Sequence, residues 1–425
     1  MSGLLRRHRD FRLLWCGETA GRFGAAVTGV AMPLVAVSAL RASTFEVGLL
    51  GACGWLPWLL IGLPVGAWVD RLPRRPLMLA AAALSLVLLA AVPLLARTGR
   101  LGLGPLIAVA LLTGAAAVVF QTAYSAYLPT LLAPADRPEG NAKLHGSASA
   151  AQIAGQGAGG LIAQLAGAVN GLFAHAATFL VALLCLLGIR HREPPREDSG
   201  RPARSLTGEV AEGLRLVVGD RWFCTLTLFG ATSNLALMGY QSLLTVFLVR
   251  EVGLAPGAVG GLLALASTGG IAGAFMVRRT AGRLGTARAM LLYELGIPCA
   301  ALLIPLASPG AGVLLYIAGG FGVSAGVVAG NILKTGFQQG YCPPPLLGRL
   351  VASSAFLNYG TLPLGALLGG ALGSALGVRT AMWITTAGVP LAALILLFSP
   401  VRTVRDLPTR HTDPEAAAQA VGGSG

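Results

Sequence analysis

Apolar residues run in long, nearly unbroken stretches along this 425-residue chain, separated by short polar ones. Val47 to Val69 contains no Asp, Glu, Lys or Arg, and neither does Pro76 to Ala96. About 20 apolar residues in a helix are enough to cross the ~30 Å hydrocarbon core of a bilayer. The pattern predicts twelve spans, at 12–38, 45–69, 76–96, 103–128, 143–168, 171–190, 222–249, 254–277, 287–307, 309–334, 350–375 and 378–399. One long polar interruption, HREPPREDSGRPARSLTGEVAEGLR at 191–215, divides them six and six. Its Pro, Gly and charge content predicts a linker that ends in a short surface helix. The expectation is an all-α integral membrane protein of twelve transmembrane helices in two pseudo-symmetric bundles. These occupy 1–190 and 222–399, joined by a linker at 191–221 and followed by a disordered tail at 400–425.

Composition agrees with this pattern. Hydrophobic residues make up 55% and charged residues only 11%, against roughly 25% charged in soluble proteins, so a water-covered surface is excluded. The N-terminus, MSGLLRRHRDFRLLW, is basic and leads into an apolar run like a signal peptide, but no convincing cleavage site follows. A retained first helix is expected. The six cysteines have no paired spacing and predict buried thiols, neither disulfides nor a metal site.

The net charge of +14 is distributed by side. With twelve spans both termini share one side, and 25 of the 31 Lys and Arg fall there against five on the other, with Arg22 inside the first span. That asymmetry places both termini in the cytoplasm of a multi-pass protein of the plasma membrane. The basic charge is thereby assigned to orientation, and nucleic acid is not an expected partner.

The halves carry a faint echo. VDRLPRRPLML at 69–79 and AGRLGTARAML at 281–291 share Arg-Leu at a common offset, Arg71-Leu72 against Arg283-Leu284. Parallel repeats of this kind are one arrangement of secondary transporters, with the substrate site at mid-membrane between them. Glycines recur every fourth residue at Gly365, Gly369 and Gly373, and at Gly155 and Gly159. Such stripes allow close helix packing or helix sliding.

Three ionisable residues fall inside spans: Glu18 and Arg22 in the first and Glu294 in the ninth. A charge at the bilayer centre costs at least ~2.5–3.5 kcal/mol, so each requires a reason. Glu18 and Arg22 are spaced i, i+4 with the acid first, the favourable order for a pair. They are either proton-coupling residues or a permanent structural ion pair; Glu294 is a second coupling candidate or an acid reaching to the interface. Gln152 with Gln156, and Asn234 with Gln241, fall on common helix faces. With Gln121, Tyr124 and Asn358 they are the candidate lining of a substrate cavity, or hydrogen bonds between helices.

Other chemistries lack support. GNILKTG at 330–336 has Leu333 where a phosphate loop needs Gly before the Lys. No His, Asp or Glu cluster has metal spacing, and no nucleophile constellation is visible. Neither an enzyme nor an ATP-driven pump is expected.

GAWVDRLPRR, between the second and third spans, resembles the loop motif of the major facilitator superfamily: Gly66, then Asp70 and Arg71, then Arg74 and Arg75. FRLLWCGETAGRFG, AYSAYLPTLL at 123–132 and GRLVASSAFLNYGTLPLGALLGG at 348–370 resemble its macrolide-efflux and multidrug-exporter branch. The resemblance implies the twelve-helix fold and a monomer that exports small amphipathic compounds in exchange for protons. The proton gradient is then its energy source, and no cofactor is implied. An importer, or a non-exporting sensor of the same fold, is the competing reading. It also implies that the motif is a latch between the halves. Asp70 would accept from free backbone N–H groups of the helix that begins near Gly348, where the helix dipole favours an anion, while the arginines hold the cytoplasmic register. Two departures stand out. Gly24-Ala25 and Gln121 occupy positions where related exporters carry acids, and Gln156 replaces the Pro of the AGPxxGG run tied to antiport.

Overall fold

The computed structural model describes residues 3–191, 193 and 214–409. A short turn at Leu4–Arg7 precedes twelve long helical segments. They are α1 (Arg9–Ala39), α2 (Thr44–Arg71), α3 (Arg74–Arg97), α4 (Leu103–Leu131), α5 (Arg137–Ala166), α6 (Ala168–Gly188), α7 (Arg221–Glu251), α8 (Pro256–Leu284), α9 (Thr286–Leu306), α10 (Val313–Tyr341), α11 (Pro344–Leu376) and α12 (Val378–Leu397). Eleven of them are long and apolar enough to cross a membrane. The other, α5, has the length at 30 residues but carries Gln, Gly and Ser along it. Its glycines seat it on α1, where a Cβ on Gly155 or Gly159 would run into the backbone at Phe23 or Val27, while Ser149 and Gln152 are exposed. Large apolar side chains such as Phe275 and Phe398 face outward, at 81% and 83% exposure, as a lipid-facing surface requires.

The two halves repeat in detail. α1 and α7 both finish in a π-turn, Val35–Ala39 and Phe247–Glu251, offset by the interval that separates Arg71 from Arg283. The closing hydrogen bonds correspond as well. Leu40 N donates to Val35 O and Ala42 N to Ala36 O, while Val252 N donates to Phe247 O and Leu254 N to Leu248 O. Both turns need a left-handed residue. It is Gly253 (φ +74°) in the second half and Arg41 (φ +51°) in the first, where the geometry disfavours a side chain. The glycine stripes are equivalent too, with Gly155 and Gly159 seated on α1, and Gly365 and Gly369 on the α7 backbone at Leu235 and Gly239.

Helix ends at the side carrying the termini are capped across the chain. Arg74 and Arg75 N–H donate to Glu193 Oε1 at 3.0 Å, so an acid beyond α6 caps α3. In the second half Asp406, beyond α12, accepts from Thr286 N at 2.8 Å and caps α9. Residues 400–409 therefore do not belong to a disordered tail: Val401 and Leu407 are buried, and Ala287 N donates to Arg405 O. The remainder of that tail, and of the linker apart from 191, 193 and 214–221, lies outside the described residues. Opposite, Ser43 and Glu46 form a capping box on α2, in which the Ser43 backbone N–H donates to Glu46 Oε2 at 2.6 Å.

Removing the α3 cap by Glu193→Ala is expected to cost about 0.5–2 kcal/mol, and Asp406→Ala a similar amount on α9. Thermal unfolding of the purified protein reads both; an unchanged midpoint in each would show that these acids do not hold the helix ends.

Candidate functional site

α1–α6 and α7–α12 meet along two seams near the end opposite the termini. α2 crosses α11, where a Cβ on Gly48 would lie 2.7 Å from Ala366 O and 2.8 Å from Gly370 Cα. α5 crosses α8, where Gly160 and Gly260 face each other, and Ser267 Oγ donates to Gln156 Oε1 at 2.7 Å. Two cavities lie beside these seams.

The larger, about 550 Å³, is walled mainly by the first half together with Met238, Gln241 and Ser242 of α7. Leu50, Trp55, Leu89, Phe120 and Phe179 make its surface predominantly apolar. Its charges are Glu18 and Arg22. Arg22 Nε donates to Glu18 Oε1 at 2.7 Å, and Arg22 Nη2 donates to Gln121 Oε1 at 3.0 Å. The acid is the deeper partner, with its side chain 10% exposed against 44% for the arginine. α6 contributes His175, a residue that no spacing or motif singles out. Its Nδ1 lies 2.7 Å from Thr28 Oγ1, and its Nε2 is buried without a partner among the described residues. Gly24 makes the room, since a Cβ there would strike the imidazole ring.

The smaller cavity, about 280 Å³, lies within the second half between α7, α9, α10 and α11. Asn234, Glu294, Asn331, Lys334, Ser354 and Asn358 are among its polar groups, with Ser233, Thr335 and Gln338 beside them. Glu294 is in the π-turn Leu292–Gly296 of α9, a distortion that recurs at functional sites. The Glu294 carboxyl lies in the space left by Gly330, so close that any Cβ on Gly330 would overlap it. Lys334, which the charge pattern assigns to the cytoplasmic end of its span, is instead inside α10, which continues to Tyr341 and turns the lysine into this chamber. A signal for it exists in the sequence: between Arg288 and Arg349 the only charged residues are Glu294 and Lys334.

The single cavity expected from the amides is thus two. Gln121 and Gln241 line the larger and Asn234 and Asn358 the smaller. Gln152, Gln156 and Tyr124 line neither, and for Gln156 the alternative of a hydrogen bond between helices holds. Gln152 is exposed, Gln156 bridges to α8, and Tyr124 is buried against Phe120 with its ring centroid 6.4 Å away. Periodicity places a residue on a face, and only packing decides what that face meets.

The described contacts of the loop motif fall within the first half. The Arg75 guanidinium donates to Leu186 O and Leu187 O at 3.1 and 3.0 Å, satisfying free carbonyls at the end of α6. Arg74 and Arg75 meet Glu193 through their backbone amides, within the first half. Arg71, the last residue of α2, is exposed, and a Cβ on Gly66 would meet nothing within 4 Å. The Asp70 side chain lies outside the described residues.

Two repeated six-helix halves around a cavity that holds an ion pair define a multi-pass membrane carrier. The sequence matches the Major Facilitator Superfamily over residues 14–352, and the chain belongs to that family, as a membrane transporter. It is 27% identical over 415 residues to the multidrug efflux pump Tap of Mycolicibacterium fortuitum, a match covering 94% of this chain and 97% of that one. The Tap pump of Mycobacterium tuberculosis strain H37Rv is 27% identical over 408 residues, covering 90% and 92%. In fold it is similar to a point mutant of the nucleoside transporter NupG, with a TM-score of 0.77 at 12% identity over 92% of this chain and 99% of that one. It is likewise similar to a bacterial homologue of ferroportin in the inward-facing state, with a TM-score of 0.71 at 16% identity over 92% and 98%.

Proposed function

We propose that this transporter exports small amphipathic compounds, drugs or secondary metabolites, in exchange for protons. The observation that carries this reading is the 550 Å³ cavity, apolar on most of its surface, with one ion pair in its wall. Apolar and aromatic walls with few polar groups accept many amphipathic shapes, and similarity to the Tap pumps over nine-tenths of the chain supports the direction of transport.

In this reading Glu18 is the proton carrier. While ionised it is held by Arg22; a proton on its carboxylate dissolves the pair, leaving Arg22 on Gln121. A bound cationic amphipath competes with that proton for the carboxylate, which links the two flows in opposite directions. Glu294 is the second acid open to a cavity, with Lys334 as its nearby counter-charge. The proton gradient is the energy source and no other cofactor is required. The protein acts as a monomer in the plasma membrane with both termini cytoplasmic, and Gly66, Asp70, Arg71, Arg74 and Arg75 form the cytoplasmic latch.

The test is accumulation of fluorescent amphipathic dyes in pump-deficient cells expressing the chain or its Glu18→Gln variant, each with and without a protonophore. Expression should lower dye levels severalfold only in energised cells, and Glu18→Gln should abolish the difference. Dye export that ignores the protonophore would overturn proton coupling, and dye uptake driven by expression would favour an importer.

A further inference from the structure

The chamber in the second half has an unusual inventory. Glu294 and Lys334 both line it, yet among the described residues neither makes a hydrogen bond or an ion pair within 4.0 Å, with each other or with any other group. Two ionisable side chains of opposite type inside a helical bundle are held apart, although a direct pair would lower the cost of burying both. Glycines keep the space open on both sides. Gly330 admits the Glu294 carboxyl against α10, and a Cβ on Gly230 would fall 3.0 Å from Lys334 Nζ and overlap Asn358 Oδ1.

Asn358 adds an unpartnered polar atom to the chamber wall, beside Lys334. It is 7% exposed; its Nδ2 donates to Ser354 O at 2.6 Å, and its main-chain O accepts from Asn234 at 3.3 Å. Its Oδ1 is buried with no partner among the described residues. A buried acceptor left unmade costs about 1–3 kcal/mol, and the Lys334 ammonium, which faces the same point above Gly230, is the donor nearest to it.

The chamber also adjoins the apolar cavity. Tyr359 borders it, and the Tyr359 ring lies 6.3 Å from Trp55, which walls the larger cavity, and 5.1 Å from Trp58. On α7, Met238 and Gln241 face the larger cavity while Asn234 and Leu237 face the smaller. The two cavities are therefore neighbours, with the Tyr359 and Trp55 rings between them.

We propose that this chamber is a head-group subsite for zwitterions, the ligand's ammonium on Glu294 and its carboxylate or phosphate on Lys334. The charge balance selects the class. A lone cation pairs with Glu294 but is opposed by Lys334, a lone anion meets the reverse, and only a ligand bearing both signs completes both contacts while adding no net charge. At about 280 Å³ the chamber suits an amino-acid-sized head and not a whole drug-sized molecule. This inference rests on the exporter reading for the identity of the larger cavity's occupant.

Three dansyl probes with one fluorophore and similar tethers test it. ε-Dansyl-lysine carries both charges, dansylcadaverine only the ammonium, and N-dansyl-6-aminohexanoate only the carboxylate. Binding to the purified full chain in dodecyl maltoside is read by dansyl fluorescence. The expected result is ε-dansyl-lysine binding about tenfold tighter than either singly charged probe. Lys334→Gln should shift the preference to dansylcadaverine, Glu294→Gln to the aminohexanoate, and Gly230→Ala should weaken the two carboxylate-bearing probes and leave dansylcadaverine unchanged. Displacement of ε-dansyl-lysine by added phosphatidylethanolamine identifies a lipid head as the occupant, and retention identifies the head of a soluble substrate. Equal binding of all three probes by the unmodified protein overturns the subsite, even if the variants fail to fold. The exporter reading falls separately, on the dye-accumulation result.

Discussion

Gly260→Val is expected to reduce transport by tenfold or more while leaving the amount of protein in the membrane near normal. At the α5–α8 seam a Cβ on Gly260 would lie 2.5 Å from Gly160 Cα and 2.6 Å from Gln156 O. Both are backbone atoms, so no side-chain rotation relieves the clash, and the two helices must separate. Overpacking of this kind costs about 1–3 kcal/mol, charged only to conformations in which the seam is closed. A transporter that alternates must close and open this seam in turn, and a bias of that size shifts the ratio of the two states by about 5–150-fold. Gly261 is the control. A Cβ there meets nothing within 4 Å, so Gly261→Ala should transport normally. Labelling of a cysteine introduced at Gly157, which faces Ala264 in the same seam, should speed up in Gly260→Val. Normal transport with unchanged labelling would show that the seam tolerates separation and does not gate the cycle.

The second large effect is an asymmetry between single and double changes at the ion pair. Arg22→Ala leaves Glu18, with its side chain only 10% exposed, in an apolar-walled cavity without its partner. The expected loss of stability is about 1–3 kcal/mol, because the carboxylate must either remain ionised without compensation or take up a proton. The double change Glu18→Gln with Arg22→Ala removes the stranded charge and should recover most of that loss. Glu18→Gln alone should cost less than Arg22→Ala, since Arg22 is 44% exposed and keeps its bond to Gln121. Thermal unfolding of the three purified variants decides the matter. Equal destabilisation by Arg22→Ala and the double variant would count against pairing as the reason for these charges.

The glycine stripes show how far one-dimensional reasoning reaches. Gly155 and Gly159 announce close packing by their spacing alone, and the structure seats them on α1. Gly160, one residue further, has no stripe to announce it, yet it makes the contact between the halves. The Glu18–Arg22 pair is legible because i, i+4 spacing in a helix is itself a distance. Glu294 and Lys334 are forty residues apart on different helices, so nothing in their spacing indicates a shared chamber. His175 is hidden for a similar reason, because its place beside the cavity depends on the absence of a side chain at Gly24, on another helix.

By itself the sequence determined the class of this protein, its twelve helices, the division into halves and the local ion pair. Each of these follows from the hydropathy of a contiguous segment or from helical period, quantities that a chain carries without folding. Only the tertiary structure decided that the amides line two cavities, that Lys334 turns inward, that Arg75 ties α3 to α6, and that residues 400–409 cap a helix instead of trailing free. Those outcomes depend on which helix face meets which neighbour. Between helices in a membrane, association is set by close packing of small residues and by interhelical hydrogen bonds, without the pattern of hydrophobicity that marks buried faces in water.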